Sequence, residues 1–429
     1  MIRRRVLCWV GVAAISAVLA GCSGSTALTP TPQTSTAAAT ATATTTATAT
    51  TTATLPPGST ATSPLSAPAN SSASTAAPSA YVTASGRNLI ADAKVLKFIG
   101  VNIYDAAATS KYSCRPGSKL SKEQLTQTLA FLHDHAGVTV LRFWAYQTYT
   151  QGATDFTGMD QVIDAAQQVG MRVLPVLEDG PGNCTTNATV TPKSNFNGDT
   201  WYTAGYKVPY DNASLSYRDY VAAVAAHYKN NPTILGWSMM NEADTSARDA
   251  QGRSVLVDFA KDIGSVIAAA DPNHLISVGT QSNGAPGASG TDFTAVYSQP
   301  HIGFAEVHDW GYWGSDQQPM PGGVGKTPPD PTSTVCQSIS APIGCSFAQA
   351  PALNKPLIVG EAGIKASDEA SRNTRAGLLR AKMDAAFQAG SSGYILWSIT
   401  TADTDGYDIH INDNDPLLND TATLAQSIQ

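Results

Sequence analysis

From Val95 onward, eight short apolar runs alternate with longer amphipathic stretches, and this alternation restricts the fold more than any other feature of the chain. The runs are Val95–Asn102, Thr139–Trp144, Arg172–Glu178, Ile234–Glu242, His274–Thr280, Gly303–Trp310, Pro356–Gly363 and Gly393–Ile399. Their length suits strands buried on both faces. Helical stretches lie between them: Ser121–Ala136, Phe156–Gly170, Ser216–Lys229, Ser254–Ala270 and Ser367–Ala389. The first opens with Ser121 and Gln124 at capping-box spacing. Strand–helix alternation predicts βαβ units and a parallel sheet. Eight strands make that sheet a (β/α)8 TIM barrel with long βα loops, at Gly180–Asn212 and Asp316–Ala350. An open doubly wound sheet is the alternative, weakened because no Gly-rich phosphate loop follows the first strand.

The segment before this domain reads differently. Arg3, Arg4 and Arg5 precede an apolar run from Val6 to Leu19, too short for a comfortable membrane span. The run ends in Leu19-Ala20-Gly21-Cys22, which resembles a bacterial lipobox with Cys22 as the acylated residue. Residues 1–21 are expected to be a lipoprotein signal peptide, with an ordinary secretory signal as the alternative. Residues 22–80 are Thr, Ala, Ser and Pro for the most part and carry no charge. Such a stretch cannot build a core. It is expected to be a disordered stalk spanning about 40 Å as a coil, ahead of a catalytic domain at 81–429. Removing residues 1–21 takes away three arginines and no acid, so the formal charge of −7 becomes −10. An acidic chain is a poor partner for nucleic acid. The expected partners are a poly- or oligosaccharide and, through the anchor, the membrane; the chain is expected to be a monomer.

Cys8 leaves with the leader. Cys114, Cys184, Cys336 and Cys345 remain in an oxidising compartment, where an even set suggests disulfides. Three pairings are open. Cys336–Cys345 as a loop clasp with Cys114–Cys184 between two loops is favoured over metal binding, because no Cys-x-x-Cys spacing is present.

In a (β/α)8 barrel, chemistry sits at the carboxyl ends of the strands. Those ends carry Asn102 and Tyr104, Arg142 and Trp144, Glu178 and Asp179, Asn241 and Glu242, His308 and Trp310, Glu361, and Trp397. Glutamates behind apolar strands are costly to bury unless paired. Two carboxyls across a cleft suit glycosidic cleavage, one protonated and one ionised.

The segments ILGWSMMNEAD and KPLIVGEAG resemble the fourth- and seventh-strand motifs of clan A retaining glycoside hydrolases. VLRFW, EVHDW and YILWS match the second, sixth and eighth strands in the same order. The resemblance covers residues 90–416 and is closest to glycoside hydrolase family 5, the cellulase and mannanase family. It implies Glu242 as acid/base and Glu361 as nucleophile, with no cofactor. It also implies Asn241 on the sugar hydroxyl beside the anomeric carbon, and Arg142 holding Glu361 ionised. His308 would sit near the nucleophile, and Trp397 under the sugar ring. Two places depart from the pattern. Glu178 and Asp179 stand where many members have histidine, and Trp310 where many have tyrosine, with Tyr312 as a candidate replacement. Trp144, Trp310 and Tyr312 are further candidates for glycan contact, as are Trp201, Tyr202 and Trp313. The acidic run from Asp403 to Asp415 lacks the ligand order of a calcium loop, so no metal is expected. A non-catalytic carbohydrate-binding barrel and a transglycosylase acting on envelope glycans are the competing functions.

Overall fold

The computed structural model describes residues 76–115, 118–179, 199–209, 213–310, 328–400, 406–411 and 415–428. Three short strands come first: β1 (Thr83–Ser85), β2 (Asn88–Ala91) and β3 (Lys94–Leu96), an antiparallel sheet in the order β1-β2-β3. Strand β4 (Phe98–Asn102) and helix α1 (Lys122–Ala136) begin the alternation. It continues through β5 (Val138–Trp144), α2 (Thr157–Gln168), β6 (Arg172–Val176), α3 (Asp199–Thr203), α4 (Tyr217–Tyr228) and β7 (Gly236–Ser238). Next come α5 (Leu256–Ala270), β8 (Leu275–Ser277), α6 (Thr291–Tyr297), β9 (Ala305–Asp309) and α7 (Ile343–Leu353). The last elements are β10 (Leu357–Ala362), α8 (Glu369–Gln388), β11 (Gly393–Leu396) and α9 (Pro416–Ile428).

Strands β4 to β11 form one eight-stranded parallel sheet in the order β8-β7-β6-β5-β4-β11-β10-β9. The Gly303 N–H, just ahead of β9, donates to the Ile276 carbonyl of β8 at 2.7 Å and brings the two edges together. The fold is the expected (β/α)8 barrel. The predicted run Val95–Asn102 divides at Lys97. Val95 belongs to the small sheet and is exposed, whereas Phe98–Asn102 is buried throughout.

A floor of apolar side chains fills the lower barrel: Phe98, Val140, Leu174, Leu235, Phe304, Ile358 and Ile395, with Val82, just before β1, and Leu89 of β2 packed among them. Strand side chains alternate between faces. Two residues above the floor, the same inward face therefore carries Arg142 on β5, Glu306 on β9 and Trp397 just past β11. Strand β10 breaks that rhythm. Its pairing with β9 shifts between Val359 and Glu361, so Gly360 sits at a bulge. An extra residue in a strand re-aims the side chains beyond it, and here Ile358 and Glu361 both face the barrel interior.

The helices are set by local chemistry. Ser121 and Gln124 form the expected reciprocal cap of α1. Gly137 ends that helix at φ +66°, and a Cβ there would meet the Ala425 Cβ of α9 at 2.4 Å. Behind the barrel wall, Lys382 of α8 donates to Asp309 at 2.8 Å and the Tyr394 hydroxyl to the same carboxylate at 2.9 Å. This buried ion pair fixes the outward face of β9 while His308 points inward. Cys336 and Cys345 form a disulfide with Cα atoms 5.1 Å apart. The Cys114–Cys184 pairing involves Cys184, which lies outside the described residues, as do Cys22 and Tyr312.

Candidate active site

Glu242 and Glu361 come together at the carboxyl ends of β7 and β10. One oxygen of each and a ring nitrogen of His308 all lie within 4.8 Å of one another. Glu242 follows β7 with φ at +52°, in the left-handed region. A non-glycine residue held there costs about 1–3 kcal/mol. Flanking backbone bonds hold it: the Asn241 N–H donates to the Glu178 carbonyl at 2.6 Å, and the Ala243 N–H to Gly279 at 3.3 Å. The Glu242 side chain is one-fifth exposed, whereas that of Glu361 is 3% exposed.

Arg142 connects the site. Its Nη1 donates to Glu361 Oε1 at 2.6 Å and to Asn102 Oδ1 at 3.0 Å. Its Nη2 donates to Asn241 Oδ1 at 3.0 Å, and its Nε lies 3.3 Å from Glu306 Oε1. The Asn102 amide in turn donates to the Gly360 and Leu396 carbonyls, tying β4 to both β10 and β11. The second oxygen of Glu361 accepts from the Trp310 indole N–H at 3.1 Å. Trp310, which stands where many members have tyrosine, thus contacts Glu361 directly.

His308 Nδ1 is 3.0 Å from Glu242 Oε1 and 3.6 Å from Glu361 Oε2; its Nε2 is 3.5 Å from Glu306 Oε1. Burial disfavours the imidazolium, but the Glu361 charge and the bonds to Glu242 and Glu306 outweigh it and hold the ring up to about 9. Burial also raises the Glu361 carboxyl above the ordinary glutamate range. His308 and Arg142 oppose that rise, and Glu242 adds to it. Arg142 acts on this carboxyl in the direction the resemblance implies, favouring its ionised form, while desolvation of the enclosed group acts against it. Glu242, His308 and Glu361 are close enough together to suggest metal ligation. A guanidinium 2.6 Å from one Glu361 oxygen and an indole N–H on the other already satisfy that carboxylate, and the arginine charge opposes a divalent ion.

Aromatic side chains border the carboxylates. Trp397 stacks on Tyr104 with ring centres 4.8 Å apart and planes 4° from parallel. Trp144 and Trp310 stand beside it at 5.7 and 5.8 Å. Arg142 also lies over Trp144, 4.8 Å from the ring centre. Trp201 and Tyr202 instead pack against Phe259, away from this wall. Glu178 and Asp179 are buried, and Asp179 Oδ1 lies 3.5 Å from the Asn241 amide nitrogen.

Two acidic residues escaped the sequence reading. Asp105 accepts from the Cys114 and Arg115 N–H groups at 3.0 and 3.1 Å and from the Tyr149 hydroxyl, shaping the loop after β4. Glu306 lies under the site. A charge two residues before His308, hence on the same strand face, is the signal that could have found it.

The model of the family described as Cellulase (glycosyl hydrolase family 5) matches residues 102–403, well over half of the chain. The chain belongs to glycoside hydrolase family 5. Within this family 5 chain, the matched span runs from the last residue of β4 through β5 to β11 and includes both glutamates. The chain is similar to the mannan endo-1,4-beta-mannosidase A of Hypocrea jecorina, 25% identical over 275 residues, 55% of this chain and 58% of that protein. The alignment thus spans less than two thirds of the Hypocrea protein's length. Similarity to mannan endo-1,4-beta-mannosidase 1 of Oryza sativa subsp. japonica is 27% over 320 residues, 63% of this chain and 68% of that protein. Among solved structures, the endo-1,4-beta-mannanase of Rhizomucor miehei superposes with a TM-score of 0.58 at 19% identity, covering 81% of this chain and 99% of that one. At that identity the likeness is one of fold.

Proposed function

We propose that this family 5 protein is a retaining β-glycosidase that acts on β-1,4-mannan or its oligosaccharides by double displacement. The observation that carries the proposal is the approach of Glu242 and Glu361 to within 4.8 Å, each bonded to its own cationic partner. Retaining enzymes hold their two carboxyl groups about 5–5.5 Å apart, too close for a water between them. Glu361 would attack the anomeric carbon while Glu242 protonates the departing glycosidic oxygen. Glu242 would then take a proton from water as that water displaces Glu361. Arg142 and the Trp310 N–H leave both Glu361 oxygens aligned, and the two cations make an ionised carboxylate tolerable in a dry site. Asn241, oriented by Arg142, would bond the sugar hydroxyl beside the reacting carbon, and the Trp397 face would receive the ring. Mannan is favoured as the substrate because the relatives are mannan endo-1,4-beta-mannosidases.

The test is incubation of the full chain with β-1,4-mannan, cellulose and aryl glycosides, following reducing ends and the anomeric configuration of the first product by NMR. Release from mannan with retained configuration is expected. An inverted product would dismiss the double displacement, and turnover of cellulose alone would dismiss the substrate. An added acceptor sugar separates hydrolysis from transfer. We further propose that acylated Cys22 tethers the chain to the membrane, residues 22–80 being the spacer. Cys22→Ala should move the protein from the detergent phase to the aqueous phase.

A further inference from the structure

Double displacement uses two carboxyls, yet a third, Glu306, lies completely buried beneath them. Its Oε1 is 3.3 Å from Arg142 Nε and 3.5 Å from His308 Nε2, and its Oε2 accepts from the Ser238 hydroxyl at 2.8 Å. The bulge glycine makes room for it: a Cβ on Gly360 would stand 2.2 Å from Glu306 Oε1. Arg142 bonds Glu361 and His308 bonds Glu242, so the partners of both reacting carboxylates rest on one shared anion.

Counting charge shows what that anion does. With His308 as imidazolium, Glu242, Glu306 and Glu361 give three negative charges against two positive ones. One further proton, held between Glu242 and Glu361, makes the enclosed group neutral, and it is the proton that Glu242 delivers when it acts as an acid. Without Glu306 the group is neutral with that proton gone. Burial penalises net charge heavily, so the buried carboxylate decides which protonation state the site prefers. Glu242 and Glu361 face His308 Nδ1, Glu306 and Arg142 face its Nε2, and the Tyr297 hydroxyl donates to the Glu306 carbonyl from behind.

We infer that Glu306 is a positioning residue for the reaction, fixing His308 and Arg142 from below and retaining the extra proton that the acid step requires. The inference rests on the roles proposed for Glu242 and Glu361. It predicts that Glu306→Gln in the full chain moves the alkaline limb of kcat/KM on mannan downward by about one pH unit or more, the usual effect of one adjacent charge. The titration midpoint of the His308 ring, followed by nitrogen-15 NMR, should fall with it. A merely structural role would depress activity evenly across pH. A folded Glu306→Gln protein whose limb and ring midpoint both stay in place overturns the inference. If the wild type cleaves no glycan, the proposed function fails, while the ring titration, which needs no turnover, still decides the role of Glu306. Should Glu306→Gln not fold, Ser238→Ala removes the hydroxyl from Oε2 and leaves the charge. With one donor fewer the carboxylate is a stronger partner for the ring, so an upward move of the ring midpoint supports the inference, and an unmoved or lowered midpoint overturns it.

Discussion

Arg142 Nη1 meets Glu361 Oε1 at 2.6 Å in a space that solvent hardly enters. The same guanidinium faces Glu306 at 3.3 Å, so one cation answers two enclosed anions. Breaking such a pair from one side costs about 3–5 kcal/mol, because the orphaned charges stay inside. Arg142→Met should therefore lower the urea-unfolding free energy by about that amount at neutral pH. Arg142→Lys should fall between the two proteins, since an ammonium keeps the charge but cannot bond Asn102, Asn241 and Glu361 in one plane. An unaltered denaturation midpoint for Arg142→Met would contradict the pairing.

The two glutamates should fail differently. Glu361→Ala should reduce kcat by at least about 10^4-fold, as loss of a covalent nucleophile does elsewhere, with partial recovery on adding azide. Glu242→Ala should cost about 10²–10⁴-fold on mannan, the range of general acid catalysis, and far less on aryl glycosides whose leaving group needs no proton. Equal losses on both substrates would deny Glu242 the proton-donating role.

Stability should decline as the solution turns alkaline. The His308 ring is held up to about 9 in the folded chain, against about 6.5 when unfolded. A raised histidine stabilises fully below its unfolded value, and that contribution disappears as pH climbs through the folded one. Between pH 6.5 and 9 the wild type should lose on the order of 3 kcal/mol that His308→Asn does not lose. Chemical denaturation at three or four pH values measures this, and parallel profiles for the two proteins would refute it.

The Cys336–Cys345 bond closes a loop with a sequence separation of 9. Chain-entropy reasoning assigns a loop that short about 2.5 kcal/mol. Replacing both cysteines by serine should cost about that, read as a lowered melting temperature with kcat on aryl glycosides retained.

The barrel was legible because its strands are continuous apolar runs and its helices carry recognisable starts such as Ser121. The small sheet was not. Lys94–Leu96 runs into β4 with only Lys97 between them, and its side chains are largely exposed, so no hydrophobic period marks it. Helix α9 was overlooked because the acidic run before it reads as loop. At the site, the motifs located Glu242, Glu361, Arg142, Asn241, His308 and Trp397, which the fold does bring together. Glu306 was hidden in a motif read for its histidine. The reach of Trp310 to Glu361 depends on how the rings Trp310, Tyr407 and Trp397 lean on each other, a three-dimensional fact with no one-dimensional trace.

The irregularity at Gly360 has a wider consequence. Because strand side chains alternate, straightening β10 into regular pairing with Gly360 kept in the ladder would turn the carboxyl at position 361 into the helical shell. Reactivity in this scaffold thus depends on one irregular step along one strand: the loops at the mouth can be exchanged to alter which glycan is accepted, whereas flattening that step inside the wall would silence the chemistry.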